Sequence, residues 1–226
     1  MRRSSPLDLS TYGRAIPLLV RNPELTVVPF LSGLIGVAIT RFLSPSADIL
    51  GLGQLIQFLL DAFALAVSII LADMAWRYGR GSFDDAWTDA RRKAGDILLC
   101  AIGINFVVWV ADFAGRLLGI YFELALSVLA ILFLIYALPA TAIGGVPGGA
   151  SLQVSIDRVR SAPTRAIVLT VVFLVLYFGT LLGPFYLGFY GTVALLVGAV
   201  LKAIVLGYIA LVMAKTYTDG AFGSYY

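Results

Sequence analysis

Three residues sit where chemistry is costly to place. Asp61, Asn105 and Lys202 each interrupt a long apolar run. An ionised side chain at the centre of a membrane helix costs ~2.5–3.5 kcal/mol on insertion scales, so it marks a function unless a partner satisfies it. At a common depth, Asp61 and Lys202 form a polar site for a proton, an ion or a headgroup, and Asn105 can join it. The simpler alternative is a structural ion pair, or a Lys202 whose stem snorkels to an interface.

A second concentration of reactive types lies in DDAWTDARRKAGDILLC, residues 84–100. Acid–base work, phosphate binding and a membrane edge all use such residues. The chain has no histidine, which removes the commonest general base and metal ligand. Arg91, Arg92 and Lys93 beside Trp87 suggest nucleic acid, but the neighbouring aspartates repel phosphate. Attraction to anionic lipid, ~1 kcal/mol per basic residue near the surface, explains the cations more simply. Arg21, Arg91, Arg92, Lys93, Arg158 and Arg160 are therefore the expected headgroup contacts.

The remaining candidates have bland readings. Asp73 and Arg77 are an i,i+4 pair at a helix end, and Asp112 and Arg116 repeat that spacing. Asp112 and Glu123 flank a turn and read as solvated loop charges. Gly115/Gly119 and Gly179/Gly183 have the spacing that lets membrane helices approach, but sit at span ends where they can form turns. GGVPGG at 144–149 lacks the Gly-Lys-Ser/Thr ending of a phosphate loop and reads as a flexible break. GLGQ at 51–54 and LGFYG at 187–191 lack nucleotide-binding context. The single cysteine, Cys100, behaves as a small hydrophobe. No catalytic residue, metal site or cofactor is expected, and the chain does not read as an enzyme.

The elements that hold these residues follow from composition. Of 226 residues, 60% are apolar and 13% charged, with mean hydropathy +0.95. Soluble domains are nearer half apolar and a quarter charged. Six apolar runs, at 25–42, 55–76, 97–118, 124–143, 166–182 and 193–214, are each near the ~20 residues a membrane helix needs. They are continuous rather than alternating, which favours helices over a barrel. A cleaved leader is not expected after the basic start, because Arg21, Asn22 and Pro23 interrupt the first apolar stretch.

Basic residues alternate between loops. Arg2, Arg3, Arg14 and Arg21 precede the first span; Arg77, Arg80, Arg91, Arg92 and Lys93 follow the second. Arg158, Arg160 and Arg165 follow the fourth, and Lys215 follows the sixth. The alternate loops hold only Arg41 and Arg116. The positive-inside rule then places both termini in the cytoplasm of a multi-pass cell-membrane protein. Tyr217, Phe222, Tyr225 and Tyr226 read as an aromatic belt with a short tail.

Amphipathic stretches precede the odd spans. Phe83, Trp87, Ala90, Ala94 and Ile97 recur at helical spacing, with Asp85, Asp89, Arg92 and Asp96 opposite. Ser82 suits an N-cap, and Asp84 and Asp85 the first turn. Tyr12, Ile16, Leu19 and Pro23 lie 71 positions earlier, and Leu152, Ile156, Val159 and Pro163 lie 69 later. Pro23 and Pro163 suit the start of a second helix. The expected fold is all-α: a single integral membrane domain over 1–226, with six transmembrane helices. It reads as three hairpin repeats, at 8–80, 81–148 and 149–217, each entered by a short cytoplasmic interfacial helix.

SFDDAWTDARRKAGDILL, LPATAIGG with SLQVSIDRVRSAPTRAIVL, and RNPELTVVPFL are similar to the segments before the third, fifth and first spans of a prokaryotic family. That family comprises the membrane-embedded domain associated with glycerophosphoryl diester phosphodiesterases and related stand-alone six-span membrane proteins. The resemblance implies the fold and no mechanism, since no polar stretch here is long enough for the phosphodiesterase domain. The expected role is a non-catalytic accessory or scaffolding subunit that packs against partner membrane proteins or lipid. The alternative is a small transporter or lipid-handling protein that uses Asp61, Asn105 and Lys202. No nucleic-acid partner is expected.

Overall fold

The computed structural model describes residues 9–42 and 47–221, apart from the side chains of 47–51, 185, 220 and 221. Arg2, Arg3, Phe222, Tyr225 and Tyr226 lie outside the described residues. The protein is all-α, about 90% helical, without strands among the described residues. The helices are α1 (Ser10–Arg21), α2 (Val27–Phe42), α3 (Ala47–Tyr78), α4 (Phe83–Arg92), α5 (Ala94–Leu118), α6 (Ile120–Leu134), α7 (Ala137–Ala142), α8 (Gly148–Ser161), α9 (Pro163–Tyr186) and α10 (Gly191–Ala221). Six spans are long and apolar enough to cross a membrane: Pro23–Phe42, Leu52–Tyr78, Ala94–Leu118, Ile120–Ala142, Pro163–Pro184 and Gly191–Asp219.

These elements are longer than the apolar runs that announce them. α3 continues to Tyr78, its last turns carrying the Asp73–Arg77 i,i+4 pair at 2.8 Å.

The three amphipathic helices α1, α4 and α8 gather at one face. Their last residues, Arg21, Arg92 and Ser161, keep the 71 and 69 spacing of the sequence pattern. Each packs on the second span of the unit before it: α4 on α3, α8 on α7, and α1 on α10, which closes the ring. The apolar face of α4 is thus turned to protein, while α1 leaves Ile16 and Val20 exposed. Ala86, Ala90 and Ile97 are fully buried, while Phe83 and Trp87 are half-buried. Trp87 stacks on Phe83 and meets Phe63 of α3 edge-on at 5.8 Å. The wet face carries Asp84, Asp85, Arg91 and Arg92, and Ser82 caps the helix by accepting from Asp85 N–H at 3.4 Å.

This packing puts the core in one half of the molecule. Residues 66–72 of α3, most of 134–142, and 209–214 of α10 are buried. In the other half the helices carry exposed Phe106, Trp109, Phe113, Val175 and Phe178, the outward apolar belt expected of lipid-facing spans.

Two joints depend on residue type. Asn22 and Ala162 end α1 and α8 with similar backbone angles (φ −127°, ψ 65° and φ −141°, ψ 63°), and a proline comes directly after each. Asn22 Nδ2 donates to Leu18 O at 2.9 Å, and its Oδ1 accepts from Gly81 N–H at 3.0 Å. The fourth span breaks between α6 and α7 because Pro139 lacks an N–H and its ring crowds the carbonyl of residue 135. Ser155 of α8 repairs the break, donating to Phe133 O at 2.7 Å and accepting from Tyr136 N–H at 3.0 Å.

Candidate functional site

Asp61 on α3 and Lys202 on α10 meet. Lys202 Nζ lies 2.5 Å from Asp61 Oδ2, and the two side chains are 22% and 19% exposed, Asp61 first. The other carboxylate oxygen accepts from Ser32 Oγ at 2.7 Å and Gln57 Nε2 at 2.8 Å. Gln57 Nε2 also faces the Ser32 carbonyl at 3.1 Å and Oγ at 3.2 Å. Gln57 and Asp61 are one turn apart on α3, so both reach Ser32 on α2. At 1.5 Å per residue, Lys202 lies roughly 16 Å along α10 from Gly191, and Asp61 roughly 21 Å along α3 from Ala47. The pair is therefore deep within its spans.

The pair faces a cavity of about 620 Å³ among α2, α3, α5, α9 and α10. Asn105 lines it from α5 and Tyr177 from α9. Thr40, Gly53, Pro184 and Ala194, near the ends remote from α1, α4 and α8, line its outer part. Close packing walls one side: a Cβ on Gly33 would come within 3.0 Å of Ala199 Cβ, and one on Gly36 within 2.9 Å of Gln57. On the other side α9 packs on α10 with only sparse contact to α3 or α5, and α6 approaches α3 and α10 chiefly through its continuation α7. That standoff leaves the space.

Several polar groups near the cavity are unused. Gln57 Oε1 is fully buried on the Gly36 side, away from the cavity, with no hydrogen-bond partner among the described residues. Its Nε2 is committed to Asp61 and Ser32, so the oxygen is left over. Neither the Asn105 amide nor the Tyr177 hydroxyl has a hydrogen-bond partner among the described residues. The arrangement therefore combines a compensated ion pair, neutral donors and acceptors, and apolar walls. No cluster of metal-ligating side chains occurs among the described residues.

All three members of the intramembrane cluster expected from sequence thus border one space. Ser32, Gln57 and Tyr177 were not among them. The Gln57/Asp61 spacing was the available signal, a second polar residue one turn from the carboxylate.

The six basic residues expected at headgroups divide. Arg21, Arg91 and Arg160 are exposed. Arg92 is also exposed but bonds Asp89 at 2.6 Å. Lys93 and Arg158 are engaged by protein groups. Lys93 Nζ bonds Asp89 at 2.8 Å and Ala142 O at 2.7 Å, so it serves the unsatisfied carbonyl end of α7. Arg158 bonds Tyr217 O and lies 3.7 Å over the Tyr217 ring. Burial opposes ionisation of Asp89, but hydrogen bonds from Lys93 and Arg92 outweigh it and hold its carboxyl below the usual range. Tyr12 on α1 is pushed up to about 12 by burial and the nearby Tyr136 and Tyr208.

The remaining candidates are structural. Arg116 pairs with Glu123 across the α5–α6 turn at 2.8 Å rather than with Asp112, whose carboxylate accepts from Ser127. Gly115 is required because a Cβ there would collide with the Glu123 backbone, and Gly119 has φ +112°. Gly179 has nothing near it and mediates no helix approach. GGVPGG joins α7 to α8 in a fitted turn: a Cβ on Gly148 would strike the Asp96 carbonyl, and Gly148 N–H bonds Asp96 Oδ1 at 3.1 Å.

No family model, curated protein or solved structure matches the chain.

Proposed function

We propose that this is a non-catalytic membrane protein that binds, and handles or transports, a small amphiphilic molecule in the cavity above the Asp61–Lys202 pair. The observation that carries the reading is that a deep ion pair, Asn105 and Tyr177 all border one space of about 620 Å³. That volume lies in the range of ordinary ligand pockets, ~300–1,000 Å³. Closely packed spans with the same ion pair would need no such space.

The basic residues of the α1/α4/α8 face support a cytoplasmic placement for it, with both termini, in a cell membrane. The cavity would then open toward the exterior. Exposed Arg21, Arg91 and Arg160 are suited to anionic headgroups at that cytoplasmic face. The motif resemblance to the phosphodiesterase-associated membrane domains fits a lipid setting and adds no reaction.

An accessory role beside partner membrane proteins is the second reading, supported by the broad exposed belt of Phe106, Trp109 and Phe113. Mild detergent extraction and native mass spectrometry separate the two. Small-molecule adducts on the wild type that disappear in Gly198→Leu are expected. A Cβ at Gly198 makes only ordinary contacts, 3.6 Å from Pro184, so leucine there occupies the cavity without a backbone clash. A stoichiometric protein companion with no small-molecule adduct would establish the accessory role instead.

A further inference from the structure

We infer that the cavity takes the uncharged, hydroxyl-bearing head of a membrane amphiphile, with the start of its chain lying along the apolar wall. This deepens the proposed function and rests on it.

The charges at the site are already matched. Asp61 accepts from Lys202, Ser32 and Gln57, at 2.5, 2.7 and 2.8 Å. A ligand with net charge would add an uncompensated ion to an apolar-walled space, or would have to break the pair to gain a partner. The groups that are left open are all neutral. The Asn105 amide and the Tyr177 hydroxyl can both donate and accept, and neither is engaged among the described residues. A hydroxyl is the smallest group that answers this set, donating to or accepting from Asn105 and Tyr177.

The other lining residues define the part of the ligand attached to that hydroxyl. Val37, Phe58, Leu181 and Leu195 give the cavity apolar walls. Leu181 is 50% and Leu195 37% exposed, so the wall continues onto the surface that faces lipid. The sparse packing of α9 against α3 and α5 lies on this side. At ~30 Å³ per water, the space equals about twenty waters. It accommodates a head and part of one chain, not a whole diacyl lipid. The occupant therefore comes from the bilayer and leaves its tail there.

The test uses the full-length protein in nanodiscs with three photoactivatable probes of one acyl composition: a diacylglycerol, a phosphatidate and a cationic trimethylammonium lipid. Labelled peptides are mapped by mass spectrometry. The expected result is labelling of α9 and α10 residues at the cavity by the diacylglycerol, at least about tenfold above either charged probe. Gly198→Leu abolishes it, and Asn105→Leu or Tyr177→Phe each reduces it about fivefold, the worth of one hydrogen bond. The conservative Tyr177→Phe keeps the ring, so its effect is not one of folding. Equal or stronger cavity labelling by a charged probe, still blocked by Gly198→Leu, overturns this inference and leaves the proposed function standing. Loss of diacylglycerol labelling to excess free glycerol overturns the lipid source. Failure of every probe to label the cavity, or labelling indifferent to Gly198→Leu, overturns both.

Discussion

Replacing either member of the Asp61–Lys202 pair should cost far more than replacing both. Lys202→Met leaves a carboxylate deep in the spans with only Ser32 and Gln57 as donors. Its ion partner was 2.5 Å away. At that distance and an effective dielectric of about 20, the Coulomb attraction is roughly 7 kcal/mol before the desolvation of both ions is subtracted. Breaking a buried pair by removing one partner typically costs ~3–5 kcal/mol. The partial exposure of both side chains to the cavity lowers this expectation to ~2–4 kcal/mol for Lys202→Met. Asp61→Asn strands the ammonium instead and should cost a similar amount. The double variant loses the pair without stranding a charge, so its cost should fall short of the sum by at least ~1.5 kcal/mol. The assay is equilibrium unfolding of the four proteins in mixed micelles of fixed composition. Additivity within ~0.5 kcal/mol would refute the reasoning, because it would mean that the two groups do not compensate each other.

Ser155→Ala should destabilise by ~1–3 kcal/mol in the same assay, since the Phe133 carbonyl and the Tyr136 N–H lose their shared partner at the Pro139 break. Gly148→Val should lower the melting temperature more than Gly149→Val, because only Gly148 faces the Asp96 carbonyl while Gly149 has open space. Asp89 has a lowered folded-state pKa, so its contribution is present above the ordinary carboxylate pKa of about 4 and is lost as pH falls below it. The melting-temperature gap between the wild type and Asp89→Asn should therefore close on acidification from about pH 5 to about pH 3. Tyr12 titrates near 12 when folded, so stability falls between about pH 10 and 12 as the unfolded phenol ionises first. Tyr12→Phe should flatten that fall.

Much of the architecture was legible because a membrane simplifies the code. Continuous apolar runs can only be helices in hydrocarbon, and six of them appear as six spans. The threefold spacing survives in the ends of α1, α4 and α8 because it reflects backbone register, not individual contacts. Asp61 and Lys202 stood out because lone charges in apolar runs are rare. Neutral partners such as Ser32 and Gln57 carry no such contrast.

Direction was not legible. Lys93 has the same flanks as Arg91 and Arg92, yet it turns inward, because the α7 carbonyl end that receives it lies 49 positions away. Arg158 turns inward for a similar reason, toward Tyr217 on another helix. The break at residues 135–136 was hidden inside one apolar run, although Pro139 and the N-terminal α7 turn imply it once the helix is laid out. The amphipathic helices read, from periodicity, as lying on lipid. The dry face of α4 is matched to α3, which periodicity alone does not reveal, while Ile16 and Val20 of α1 stay exposed.

The central claim is that the Asp61–Lys202 pair forms the floor of a ligand cavity. An experimental density map of the protein in lipid nanodiscs tests it most directly. The account predicts non-protein density between α3, α5 and α9, with its inner end within hydrogen-bonding distance of Asn105 or Tyr177 and its outer end continuous with the bilayer. A map in which α9 packs against α3 and α5 and leaves no space above the pair would contradict it.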